Sequence, residues 1–169
     1  VSALWLVVGL VALQRMAELA YARRNERRLL ADGGHVVGAG LYPWIVGLHL
    51  AWLVSLLIGV PAAEPIRWPY LVAFLVLQGC RAWVMASLGP YWTTRVISVP
   101  GRPLVRRGPY KYVRHPNYLV VVGEIALLPL VFGAWRIALV YSLFNAVLLW
   151  LRVRTEDRAL APRREIAAD

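Results

Sequence analysis

Ionisable and amide side chains set inside apolar stretches give this sequence its first chemical reading. Glu124 stands in a run of valine, isoleucine and leucine with no opposite charge within its own helical turns. Arg81 and Gln78 share another such run, His49 a third, and Arg15 and Glu18 end the first. Tyr141, Asn145, Arg152 and Glu156 recur at i, i+4, i+11 and i+15, close to one face of a helix. Ionisable groups in hydrocarbon cost several kcal/mol and are functional candidates by default. Carboxylates raised in pKa by burial suit proton abstraction, and an arginine suits holding an anionic oxygen. Arg15, Glu18 and Arg81 read equally well as groups that snorkel or pair to hold helices together. His115 does not read as a metal ligand, because no second His or Cys lies at ligand spacing and Cys80 is the one cysteine.

The elements that carry these residues are membrane helices. The chain has 169 residues, of which 60% are hydrophobic and 17% charged, with a mean hydropathy of +0.57. Water-soluble domains are about half apolar and a quarter charged. Soluble globular, disordered and disulfide-framed secreted classes are thereby excluded. The net charge of +10 over so apolar a body points to a membrane protein with basic ends, interacting with membrane lipids, and not to a nucleic-acid binder. About 20 apolar residues make a span, and five stretches qualify: residues 1–20, 41–60, 68–88, 117–135 and 137–151. The first lacks the basic n-region of a signal peptide and runs on into a charged, helical-looking continuation. The predicted class is an all-α integral membrane fold of about five transmembrane helices. It forms one domain over residues 1–169: three spans to residue 88, a loop and helical hairpin over 89–160, and a tail over 161–169.

Arginine and lysine placement orients the spans. Four basic residues follow the first span, six lie between the third and fourth, and five follow the fifth, against Arg67 and Arg136 in the other two connections. The positive-inside rule puts the N-terminus outside and the C-terminus in the cytoplasm. His49 then lies eight residues from the inner end of its span, and Glu124 about 10 Å into the fourth at 1.5 Å per residue. Intramembrane polarity gathers in the cytoplasmic half. A pore would be lined through both halves, so a chamber open to the cytoplasm fits better. Arg81, His49 and Asn145 are the residues expected to meet a substrate in it.

The long connection over residues 89–116 is dense in aromatics and carries Pro90, Pro100, Pro103 and Pro109. Residues 93–99 suit a short strand or a segment lying on the membrane surface. Pro116 fits the first turn of the fourth helix, whose N–H groups can receive an anion, and the tyrosines can stack on a flat heterocycle.

Gly108-Pro109-Tyr110, Arg114-His115-Pro116-Asn117-Tyr118-Leu119, Glu124 and Arg152-Val153-Arg154-Thr155-Glu156-Asp157 together resemble the motifs of the isoprenylcysteine carboxyl methyltransferase superfamily, over residues 83–160. The first half, with Gln14-Arg15, Glu18-Leu19, Arg24-Asn25-Glu26, the Gly33-to-Ala39 loop and Thr94-Arg95-Val96-Ile97, is similar to a bacterial branch associated with O-methylation of alkylpyrones or alkylresorcinols made by type III polyketide synthases. The resemblance implies a multi-pass enzyme of the bacterial cytoplasmic membrane. It would use S-adenosylmethionine, bound at the cytoplasmic ends of the last two helices, to O-methylate a lipophilic acceptor. By motif position Val113, Arg114, His115, Pro116, Tyr118, Leu119 and Glu156 form the cofactor site. Arg152, Glu156 and Glu124 carry the catalytic expectation, Arg152 at the junction of cofactor and acceptor. Val120 stands where a small residue is usual, and Asp157 where the second acid is usually Glu. The competing readings are a prenylcysteine carboxylate or phospholipid amine as acceptor, a nicotinamide-dependent reductase, and a non-enzymatic module gripping anionic lipids.

Overall fold

The computed structural model describes residues 2–166 and is built on five helices: α1 (Ala3–Ala31), α2 (Tyr42–Gly59), α3 (Trp68–Leu88), α4 (Pro116–Val131) and α5 (Trp135–Ile166). Of these, α1, α2, α3 and α5 are long and apolar enough to cross a membrane. α4 has 16 residues, about 24 Å at 1.5 Å per residue, short of a hydrocarbon core of about 30 Å. Its Val120, Val121, Ile125, Leu128 and Val131 are buried, so α4 is the inner helix of the bundle, packed between α3 and α5. Where about five transmembrane helices were expected, four are long enough to span and α4 is shorter. Pro129 sits in the last turn of α4, and Gly133, at φ 66°, reverses the chain into α5.

α1 and α5 run well beyond the apolar stretches that predicted them. The extension of α1 is rich in Ala, Arg, Glu and Leu, all strong helix formers. α5 continues through Arg152 and Glu156 into the region expected as a tail; residues 167–169 lie outside the described part. The core joins Leu4, Val8 and Val11 of α1 to Trp52 and Leu56 of α2, Phe74 of α3, and Ile125 and Leu128 of α4. Large apolar side chains such as Trp5, Leu10, Trp44, Leu75 and Phe144 face outward, as expected of helices solvated by lipid.

The fold is not purely helical. β1 (His35–Val37) pairs antiparallel with β2 (Val96–Ser98), in the register His35 to Ser98 and Val37 to Val96. Residues 93–99 therefore do pair as a strand, and their partner comes from the loop after α1. This hairpin-like pair sits on the C-terminal half of α5. Gly38, at φ 64°, allows the seating: a Cβ there would stand 2.8 Å from Thr155 Cγ2.

Side chains of α1 hold the long loop in place. Asn25, buried, donates from Nδ2 to the carbonyls of Gly89 (3.2 Å) and Trp92 (2.9 Å), and the Tyr21 hydroxyl donates to Gly89 O (3.0 Å). Arg107 Nε donates to Ser87 O at 2.6 Å. Gly108, at φ 57°, presses so closely on Ser87 that no side chain fits. The C-terminal ends of α1, α3 and α5 thereby meet the N-terminal ends of α2 and α4 at the arginine-rich end of the bundle.

Candidate functional site

A cavity of about 340 Å³ opens at that end, within the range of small-ligand sites, which starts at about 300 Å³. Leu29 of α1 and Leu88 of α3 bound it, the loop contributes Trp92 and Tyr110, and the two helices of the C-terminal hairpin contribute Tyr118 and Glu156. Arg114, His115, Asn117 and Arg152 add to its polar lining, with Thr93, Arg95 and Arg106.

Arg152, Tyr118, Glu156, His115 and Asp157 form one connected chain. Arg152 Nε donates to the Tyr118 hydroxyl (2.8 Å) and its Nη2 to Thr94 O (2.7 Å). The Tyr118 hydroxyl donates in turn to Glu156 in a short bond, and the Arg152 guanidinium lies 5.4 Å from the centre of the Tyr118 ring. His115 stacks on Tyr118, with ring centroids 5.2 Å apart. Its Nε2 stands 3.2 Å from Asp157 Oδ1 and its Nδ1 3.8 Å from Glu156 Oε2. The shorter acid at position 157 thus reaches a partner across the hairpin. Burial, and secondly the Glu156 charge, push the Tyr110 hydroxyl above the usual tyrosine range, so it stays protonated.

Two buried polar atoms among the lining residues have no partner: the indole Nε1 of Trp92, a residue 3% exposed, and Oδ1 of Asn117. Unpaired buried polar atoms are costly and call for a partner. One is a donor and the other an acceptor. With the Glu156 carboxylate and the ring of Tyr110, they fit a ligand carrying an amine, hydroxyls and a flat heterocycle.

The structure separates the residues expected from sequence. Arg114, His115, Tyr118, Arg152 and Glu156 come together at the cavity. Pro116 is buried as the first residue of α4 and shapes its start without lining the space. Val113 and Leu119 face outward, Leu119 at 61% exposure. Neither lines the cavity: one residue along a helix is a turn of about 100°, which carries Leu119 away from Tyr118.

Glu124, Arg81, His49 and Asn145 line neither this cavity nor the smaller crevice beside it. Glu124, 2% exposed, accepts from Arg81 Nη1 (3.1 Å), Arg15 Nη2 (2.8 Å) and Gln78 Nε2 (2.9 Å). Glu18 accepts from Arg81 Nε (2.7 Å) and Nη2 (2.6 Å), from Arg15 Nη1 (2.8 Å) and from Gln14. Glu124 therefore does have opposite charges, on two other helices. The catalytic place expected for it, and the substrate-facing place expected for Arg81, give way to a closed ionic cluster. His49 Nδ1 is paired with Ile45 O at 2.8 Å, and Asn145 is buried in the helix packing. Sequence reasoning passed over Asn117 and Trp92 as individual ligands. The aromatic density of the loop pointed toward Trp92, and the position of Asn117 in the first turn of α4 was the available signal for it.

Residues 70–162 match the isoprenylcysteine carboxyl methyltransferase family, and the chain belongs to that family. Its members are S-adenosylmethionine-dependent methyltransferases, and membership together with four long apolar helices makes this a multi-pass membrane protein. The chain is 42% identical over 160 residues to the uncharacterized protein YpbQ of Bacillus subtilis (strain 168), covering 92% of this chain and 95% of that one. It is 31% identical over 155 residues to an uncharacterized protein of Haemophilus influenzae, covering 87% and 88%. No solved structure matches it significantly.

Proposed function

We propose that this protein is a membrane S-adenosylmethionine-dependent methyltransferase that O-methylates a lipophilic acceptor, an alkylpyrone or alkylresorcinol type of polyketide being the acceptor class favoured by the first-half motifs. The observation that carries the reading is one cavity lined by both family segments at once, with a buried donor and a buried acceptor left without partners. The fifteen basic residues at this end support a cytoplasmic orientation, the side on which a polar cofactor is supplied.

When bound, S-adenosylmethionine supplies a methyl group on a cationic sulfur, which an oxygen lone pair displaces to leave a neutral thioether. Trp92 Nε1 and Asn117 Oδ1 would hold polar groups of the cofactor, Tyr110 would stack on its heterocycle, and Glu156 would accept from its donors. Tyr118 fixes the Glu156 carboxylate on one side and the Arg152 guanidinium on the other. Arg152 orients the acceptor oxygen toward the cofactor. Alignment of this kind supplies much of the rate in a displacement. An ionised oxygen needs no general base; for a neutral phenol, Glu156 is the carboxylate at hand.

Calorimetric titration of the detergent-purified protein with S-adenosylhomocysteine tests the reading. Micromolar binding, weakened at least tenfold in Arg152→Ala/Glu156→Ala, is the expected outcome. A folded wild-type protein with no affinity for it would rule the methyltransferase out.

A further inference from the structure

The arginine-rich end of α1 carries Arg23, Arg24, Arg27 and Arg28, all of them exposed. No described residue hydrogen-bonds or ion-pairs with any of the four guanidiniums. Arg23 with Arg27, and Arg24 with Arg28, stand at i,i+4, so like charges face each other across a turn and destabilise the helix. Glu26, the carboxylate within this stretch, is committed to Arg95 at 3.1 Å. At about 100° per residue the four arginines fall within an arc of roughly 140°. Ala22, Asn25 and Leu29, all buried, lie on the opposite side. The arginines therefore point away from the protein.

What they point toward is set by the rest of the helix. Trp5, Leu6, Leu10, Leu13 and Met16 are exposed, and the same helical rotation places them in the same arc. One stripe of α1 is thus apolar and lipid-facing from Trp5 to Met16, then cationic from Arg23 to Arg28. Arg23 stands about 30 Å beyond Ala3 along the axis, the thickness of a hydrocarbon core. Arg28 lies about 7.5 Å farther, within the headgroup layer. In a helix crossing near the bilayer normal, the four guanidiniums sit at the level of the lipid phosphates.

The other side of the same turns supports the cofactor cavity. Tyr21 and Asn25 hold the carbonyls of Gly89 and Trp92, and Glu26 holds Arg95. Leu29 lines the cavity itself. Repulsion that loosens this helix end also slackens the loop that carries Trp92.

We infer that this face of α1 is a binding site for an anionic phospholipid, and that the bound lipid firms the wall of the cofactor cavity. The site stands on exposure and helix geometry; its effect on the cofactor rests on the methyltransferase reading. A phosphodiester presents oxygens that two guanidiniums one turn apart can bracket with charge-assisted hydrogen bonds. Binding then replaces repulsion between the arginines with attraction to a shared anion. A zwitterionic lipid brings its own ammonium to the phosphate and gains less. The apolar half of the stripe selects a lipid over an acidic protein or a free phosphate, neither of which covers Trp5 and Leu13.

The test uses the full chain in a neutral detergent, with the unfolding midpoint measured after adding phosphatidylglycerol, phosphatidylcholine or inorganic phosphate. Calorimetry with S-adenosylhomocysteine follows in nanodiscs of either lipid. Phosphatidylglycerol is expected to raise the wild-type midpoint by roughly 4 °C or more over phosphatidylcholine, and inorganic phosphate is expected to leave it unchanged. Arg23→Gln/Arg24→Gln/Arg27→Gln/Arg28→Gln should be at least as stable as wild type in phosphatidylcholine, because its self-repulsion is gone, and should lose the response to phosphatidylglycerol. Arg24→Gln/Arg28→Gln should lose about half of it, and carries the test if the fourfold variant does not fold. Arg154→Gln/Arg158→Gln, which removes the same charge from exposed positions of α5, should keep it. Wild type should bind S-adenosylhomocysteine about fivefold more tightly in phosphatidylglycerol, and the fourfold variant equally in both lipids. A phosphatidylglycerol response that survives in the α1 variants, or is lost equally in the α5 variant, overturns the inference. So does inorganic phosphate that matches the lipid. A midpoint shift with equal S-adenosylhomocysteine affinity in the two lipids overturns the link to the cavity. Failure of the folded wild type to bind S-adenosylhomocysteine in either lipid removes the methyltransferase reading and leaves the lipid site standing on its midpoint shift.

Discussion

Two arginine–carboxylate clusters in this protein use the same side chains for opposite ends. Deep between α1, α3 and α4, Arg15 and Arg81 face Glu18 and Glu124 with N–O distances of 2.6–3.1 Å. Two positive charges meet two negative ones, and Gln14 and Gln78 fill in around the carboxylates. At the basic end, Arg152, Tyr118, Glu156, His115 and Asp157 are also linked to one another, beside a cavity whose lining residues Trp92 and Asn117 hold a buried indole N–H and a buried amide oxygen without partners. Apart from Arg15 Nε, which has no partner, the first cluster has its bonding capacity turned inward, and it joins three helices. The second leaves capacity over for a ligand. A charged residue at membrane depth is thus a weaker guide to reaction than a polar residue whose bonds are incomplete.

The clusters touch at one point, where the Arg81 guanidinium lies 5.7 Å from the centre of the Trp92 ring. The closed cluster can therefore steady a wall of the open one.

Breaking the closed cluster should have the largest effect. Arg81→Ala leaves Arg15 as the one cation of the cluster facing the two carboxylates Glu18 and Glu124, and truncating one member of a buried ionic group costs about 3–5 kcal/mol. A large loss of unfolding free energy in detergent, with the folded fraction still binding S-adenosylhomocysteine, is expected. Unchanged stability would erase the contrast between the two clusters. Gly38→Ala comes next, because an alanine at φ 64° against Thr155 costs roughly 1–2 kcal/mol from the left-handed backbone alone. It should displace the strand pair from α5 and raise KM for the acceptor more than Kd for the cofactor. Trp92→Phe is the smallest and sharpest change. Its unfolding free energy should stay near wild type, because the lost donor had no partner. Its cofactor Kd should rise roughly fivefold, the worth of about one hydrogen bond of 1 kcal/mol. A Kd equal to wild type would take Trp92 out of the cofactor site.

Much of the molecule was legible as pattern. Hydropathy alone marked α3 at residues 68–88, the bounds it has in the structure, because a mostly apolar run ends there at glycine and proline. Helical spacing put Arg152 and Glu156 on one face, and the family resemblance added His115 and Tyr118 to them. Val113 and Leu119 belong to the same motif, yet Val113, in the loop before α4, and Leu119, turned by helical rotation, both face outward. Depth could be read for Glu124, Arg81, His49 and Asn145. Direction around the helix, and the identity of a partner, could not.

The sequence by itself determined that apolar helices bury this chain in a membrane, that one end is basic, and that a polar site belongs at that end. Composition and periodicity suffice for this, because transfer of apolar surface and the period of the α-helix are local properties. The tertiary structure decided which charges would cancel. Gln14 and Gln78 bond across 64 positions of sequence and Arg81 and Glu18 across 63, and such pairings exist only once helices choose neighbours. It also decided that a strand from the loop after α1 would pair with Val96–Ser98 and seat the pair against α5. Interactions between distant segments depend on packing geometry, and no local pattern encodes that geometry.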